Sequence, residues 1–175
     1  MLFHFSNILK LSITEFTNRK KETDYMEYTV VQLEEKNMIG IGARTKNSDP
    51  NMPLVIGGLW KNLFETGVYQ KIDHKKGMTT IALYDDYESD VNGAYDITVG
   101  AEVALVDKLP EGCIVKKIPQ GKYARFVVKG NMQKAVAQFW EEFWKMDIKR
   151  SYRADFEEYL GSDPENCEIH IYISL

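Results

Sequence analysis

Cysteine and histidine are scarce: Cys113 and Cys167 are the chain's two thiols, and its three histidines, His4, His74 and His170, stand far apart. Neither set has the spacing of a metal-ligand cluster or a redox pair, so no metal and no cofactor is expected, and reduced thiols point to a cytoplasmic protein. A surplus of positive charge is also missing. The 22 Lys and Arg are outnumbered by 26 Asp and Glu, for a formal net charge of −4 with the signs interspersed, which leaves no basic face for direct nucleic-acid binding. The opening apolar stretch, Leu2 to Leu11, is interrupted by His4, Ser6, Asn7 and Lys10 and falls far short of the roughly 20 residues that span a bilayer. No membrane association is expected.

That stretch precedes the charged run Asn18-Arg19-Lys20-Lys21-Glu22, the reverse of the order in a signal peptide. Met26 stands directly before a clear strand pattern. The expected organisation is an extension over residues 1–25, non-native or disordered, followed by one domain over 26–175.

What the chain does have is hydrophobic residues at 44% and aromatics at 12%, with ten Tyr, eight Phe and three Trp. That is enough for a substantial core, and some of these rings are expected to line a cavity.

The chain also repeats itself. Leu33–Thr45 aligns with Ile118–Gly130, and each stretch reads as a strand pair or a bent strand. Met52 to Gly67 matches Met132 to Asp147, with Trp60 over Trp140, Leu63 over Phe143 and Phe64 over Trp144. Both have apolar residues at helical spacing, so each is an amphipathic helix with one stripe to bury. Leu83–Asp90 matches Phe156–Asp163, and both end in the turn-like pair Ser-Asp. Alternating strands follow, Tyr95–Ala101 and Cys167–Ile173.

The repeating unit is thus strand, helix, strand, strand, over about 27–106 and 111–175. Two such units predict an α+β fold, an antiparallel sheet with two helices packed on it and a pseudo-twofold seam where a cleft is expected.

Two local patterns carry no such weight. Asp85, Asp86, Glu88 and Asp90 lack the glycine and the closing glutamate of a calcium loop and read as a solvated strand end. Gly40-Ile41-Gly42 lacks the third glycine of a dinucleotide fingerprint and reads as a bulge or a close strand approach.

The closing segment Phe156-Glu-Glu-Tyr159, then Asp163-Pro-Glu-Asn166, then the alternating strand to Ile173, resembles the end of the gyrase inhibitory protein-like effector-binding family. That family includes the ligand domains of bacterial multidrug-responsive transcription activators. The likeness extends to Tyr84–Asp90, Tyr95–Gly100 and Lys36–Arg44 and covers Glu27 to Leu175. The resemblance implies a pocket that takes lipophilic, often cationic compounds around the Glu of the Phe-Glu-x-Tyr motif, here Glu157. Nothing before Glu27 is patterned as a helix-turn-helix, so the chain looks like the stand-alone form.

In an extended strand Glu157 and Tyr159 share one face while Phe156 and Glu158 share the other; alternation alone does not say which face the aromatics line. A carboxylate inside a cavity is costly unless a cation or donors compensate, which would raise its pKa and favour a cationic guest. The plainer alternative for Glu157 is an exposed strand position. Trp60, Trp140 and Trp144 are candidates to offer π faces to a cation at about 0.5–2 kcal/mol each, with core packing as the alternative. Tyr84 is the repeat mate of Glu157, so a phenol and a carboxylate are expected to pair across the seam.

Ligand-binding candidates are therefore Glu157, Tyr159, Tyr84, Trp60, Trp140 and Trp144. Three functions compete. The first is a stand-alone sensor or sequestering module for a lipophilic cation. The second is a hydrolase of small electrophiles with Glu157 as general base. The third is an inhibitory protein docking on a larger partner.

Overall fold

A computed structural model describes residues 26–175; the extension expected over 1–25 lies outside the described residues. The elements run β1 (Thr29–Leu33), β2 (Lys36–Lys46), α1 (Met52–Glu65), α2 (Val68–Lys71), β3 (Thr80–Asp85), β4 (Ala94–Val103), β5 (Ile114–Ile118), β6 (Gly121–Gly130), α3 (Met132–Phe143), β7 (Ala154–Tyr159) and β8 (Cys167–Ser174). The eight strands form one sheet in the order β1-β6-β8-β7-β3-β4-β2-β5, and every pairing is antiparallel.

Exchanging β1 with β5, β2 with β6, β3 with β7 and β4 with β8 reproduces that order read backwards, so the duplication is a pseudo-twofold. Its axis passes through the β3–β7 pair, at Leu83 opposite Phe156. Those two residues are 73 positions apart, the same separation as Tyr84 and Glu157. The turn residues after these strands obey it too: Asp90 Oδ1 accepts from the Asn92 amide and Asp163 Oδ1 from the Glu165 amide, each at 2.9 Å.

The unit has one strand more than expected. The matched stretches Leu33–Thr45 and Ile118–Gly130 hold β2 and β6 with only the last residue of the strand before each, and that preceding strand joins the other half: β1 pairs with β6, and β5 with β2. Only residues 34–35 link β1 to β2, although these strands hold the first and seventh places in the sheet. Three residue steps reach at most about 11 Å, whereas six flat strand spacings would cover about 29 Å. The sheet must therefore curl until its ends approach.

Curling gives it two cores. On one face α1 and α3 cover Ile39, Ile97, Val99, Ile171 and Ile173, with Leu63, Phe139 and Phe143 pointing in from the helices. The inside of the curl buries Met38, Leu83, Tyr123, Phe156 and Tyr172, with no helix among them. Phe156 stacks on Tyr172 at 4.3 Å between centroids.

The acidic run divides: Glu88 and Asp90 are exposed, as a solvated strand end would be, whereas Asp85 and Asp86 belong to an ion-pair network. Lys116 Nζ lies 3.0 Å from Asp85 and 2.9 Å from Asp96, and Arg44 joins Asp96 to Asp86. The glycines at 40 and 100 are register partners at a close strand approach, where a Cβ on either would meet the opposite backbone.

Helix α3 starts at Asn131, whose side chain accepts from the Lys134 amide at 3.1 Å. Helix α1 has Pro53 in its first turn but no side-chain cap, and its interior glycines, Gly57 and Gly58, have open space where a Cβ would stand. Packing of its apolar stripe must hold this weak helix former in place. Gly58→Ala is expected to raise unfolding free energy by about 0.5–1 kcal/mol in urea titration, while Gly100→Ala should lower it through a backbone clash.

Candidate functional site

Alternation along β7 turns Asp155, Glu157 and Tyr159 toward the helices and Phe156 toward the inside of the curl. Glu157 is only 1% exposed. A carboxylate so placed loses its hydration and must be compensated, here by three neutral donors. Tyr84 Oη donates to Oε1 at 2.9 Å, Trp140 Nε1 to the same oxygen at 2.8 Å, and Tyr159 Oη to Oε2 at 2.6 Å. Each donor comes from a different element: β3 across the seam, α3 above the sheet, and β7 itself. The phenol–carboxylate pair expected from the repeat is thus present.

Burial pushes the Glu157 carboxyl above its ordinary pKa, and the bonds from Tyr159, Trp140 and Tyr84 only partly oppose it. Burial, reinforced by the neighbouring carboxylate, holds the Tyr84 and Tyr159 phenols well above the usual range.

A cavity of about 260 Å³ opens beside this cluster, between the first half of α1, helix α3 and the strands β3 and β4. Of the six candidates, Tyr84, Trp140 and Trp144 line it. Glu157 does not face the cavity but stands directly behind Tyr84 and Trp140, which bind it. Tyr159 and Trp60 belong to the same cluster on the side away from the cavity, their rings meeting edge-on at 5.1 Å.

The two helix tryptophans that are repeat mates are half-buried over the sheet. Trp144 departs from the buried stripe expected of it: it is 51% exposed at the end of α3, tilted against Trp140 at 6.4 Å. Trp144 keeps helical backbone angles and donates to the Trp140 carbonyl at 3.0 Å, and its repeat mate Phe64, inside α1, is 46% exposed as well, so this position lies at the margin of the stripe in both halves.

Further residues complete the site. Tyr87 and Tyr95 give the cavity two more rings, and their hydroxyls donate to Asp155 and to Asn47, which also lines the cavity. Burial pushes the Tyr95 phenol up to about 12. Arg150, from the connection between α3 and β7, lines the cavity and is paired with the fully buried Asp155. Tyr87 and Asp155 lie in or beside the repeated motif, so the duplication could have flagged them. Arg150 lies outside all the matched stretches and had no signal.

Residues 29–175 match the model of the integron-associated effector binding proteins, and the chain belongs to that family of small-molecule-binding domains. It is 28% identical over 156 residues to the Bacillus subtilis "Putative transcriptional regulator protein YobU", covering 83% of this chain and 96% of that one. The crystal structure of an integron cassette protein from Vibrio cholerae superposes with a TM-score of 0.67 at 28% identity, over 83% of this chain and 95% of that one. SAV2435 bound to tetraphenylphosphonium shares the fold at a TM-score of 0.67 and 22% identity, over 85% and 94% of the two chains.

A carboxyl whose folded-state pKa is raised takes up a proton more readily when folded, so it destabilises the fold progressively as pH rises from the ordinary value near 4.5. The unfolding free energy of the wild type relative to Glu157→Gln is expected to fall as pH rises above 4.5, then level off once Glu157 ionises in the folded state. Urea titrations of both proteins across pH will show this; a difference that is flat or grows with pH would contradict it.

Proposed function

We propose that this member of the integron-associated effector-binding family takes up a lipophilic cation in the aromatic cavity, with Glu157 as its counter-charge. The observation that carries the reading is a fully buried carboxylate answered, among the described residues, by three neutral donors and no cation, immediately behind two of the cavity's rings. A guest cation would supply the missing charge, and the rings of Tyr84, Tyr95 and Trp140 would supply cation–π and apolar contact. The tetraphenylphosphonium bound to SAV2435 belongs to the class of guest meant here.

The cavity of about 260 Å³ lies below the roughly 300–1,000 Å³ of drug-sized sites. Guests of tetraphenylphosphonium size would therefore enter by moving Trp140 or Tyr84 aside. Because both rings also bind Glu157, the same movement uncovers the carboxylate, and a cation repays the lost hydrogen bonds better than a neutral guest does. Selectivity for charge thus arises from the coupling of opening to desolvation.

On this reading the domain is a cytoplasmic sensor or sequestering module of the gyrase inhibitory protein-like kind, with an indirect part in transcription regulation. Even with Tyr84 or Trp140 moved aside, a general base would need a substrate proton within hydrogen-bond reach of Glu157, whereas a counter-charge needs proximity alone. Binding is the reading the geometry favours.

Titration of tryptophan fluorescence with tetraphenylphosphonium and its neutral isostere tetraphenylmethane-type analogue tests the proposal. The cation is expected to bind tighter, and Glu157→Gln to cost it about 10- to 100-fold, the range for a hydrogen-bonded charged group, with little change for the neutral compound. Cation affinity should also rise with pH as Glu157 ionises. Equal affinities for the two compounds, or a substitution without effect, would sink it.

A further inference from the structure

Asp155 and Glu157 stand two residues apart on the helix-facing side of β7, at 0% and 1% exposure, about 7 Å along the strand. Their compensation differs. Glu157 has neutral donors only, whereas Asp155 Oδ2 accepts from the Arg150 guanidinium and from Tyr87 Oη, and Oδ1 accepts from the Ser174 amide and hydroxyl.

The guanidinium is enclosed by rings. Its Cζ lies 4.3 Å from the Tyr152 centroid, 5.4 Å from Phe143, 5.9 Å from Tyr87 and 6.0 Å from Trp140. Its side chain is 8% exposed, and its Nε is buried without an acceptor among the described residues. Tyr87, Trp140 and Arg150 itself face the cavity. An aromatic box suited to a cation is therefore already filled by one the chain carries, and that cation cancels one of the two carboxylates beside the cavity.

We infer that Arg150 determines the charge of the accepted guest: by answering Asp155 from within, it leaves one unmatched carboxylate, so the cavity selects monocations and rejects dications. The inference rests on the cation reading above. A second positive charge on the guest would find no counter-charge, and it would meet the guanidinium in surroundings that screen poorly. Without Arg150, Asp155 would be a second unmatched buried carboxylate and the site would call for two positive charges. Glu141, also at the cavity, is exposed, so the high dielectric of water makes its pull on a guest weaker than that of the buried Glu157.

Phenyltrimethylammonium and p-phenylenebis(trimethylammonium) share a ring and a head group and differ in charge number. Both would be titrated by tryptophan fluorescence at fixed ionic strength against the full chain. The wild type is expected to prefer the monocation by about tenfold or more, the scale set by one unmatched charge at these separations. Arg150→Gln should bring the ratio to about unity or invert it, and Arg150→Lys, which keeps the charge, should preserve it. The paired change Arg150→Gln with Asp155→Asn removes both charges and should also preserve it. This gives a reading even if Arg150→Gln alone does not fold.

A folded Arg150→Gln protein with the wild-type ratio overturns the inference, as does a paired variant that takes the dication as tightly as the monocation. Failure of both probes to bind the wild type would overturn the cation reading and this inference with it. Monocation binding with a ratio that ignores Arg150 would overturn the inference alone.

Discussion

The antiparallel pairing of β3 with β7 is the contact on which the rest of the molecule depends. It is the one ladder that joins the two central strands of the sheet, and its register sets Leu83 opposite Phe156 on the pseudo-twofold axis. A slip of one residue would turn Glu157 into the curl and Phe156 toward the helices, because the side-chain period of a strand is two. The register also puts Tyr84 on the diagonal from Glu157, within reach of a long side chain. Ladder, seam and carboxylate site are consequences of the same alignment.

Around that seam the duplication is broken where the chemistry lies. The halves share strands, helices and the tryptophan pair at 60 and 140, yet the axis carries Tyr84 onto Glu157 rather than onto a second tyrosine. A symmetric pair of buried carboxylates would repel, and a pair of tyrosines would leave no charge. One phenol facing one carboxylate gives a directed site, and Trp140 supplies a second donor to the same oxygen. Further along β7, Asp155 binds Arg150, so the two acids of the strand sit in different electrostatic situations within about 7 Å.

Much of this was legible because it depends on periodicity. The helical stripes from Met52 and Met132, the alternating strands ending at Ala101 and Ile173, and the repeat that aligned Tyr84 with Glu157 all follow from local spacing. The close approach of Gly40 to its partner strand was legible for the same reason, since a bare Cα marks where backbones meet. The exchange of β1 and β5 between the halves was not, because pairing partners far apart in sequence leave no local trace. The exposure of Trp144, and of its repeat mate Phe64, was missed since apolar spacing marks a helix face but not how far the sheet beneath it reaches. Arg150 went unseen because its role comes entirely from rings and a carboxylate brought to it by other elements.

The sequence by itself determined an antiparallel α+β domain in two related halves, because hydrophobic period and repeat spacing are properties of neighbouring residues, while Glu157 was marked as the acid to watch by the resemblance of Phe156-Glu-Glu-Tyr159 to the effector-binding family's motif. Only the tertiary structure decided that Glu157 stands behind the cavity wall rather than on it, that its compensation is neutral, and that Asp155 beside it is matched by Arg150. Burial, donor geometry and charge pairing arise between elements that the chain brings together only when the curled sheet closes and the helices settle on it.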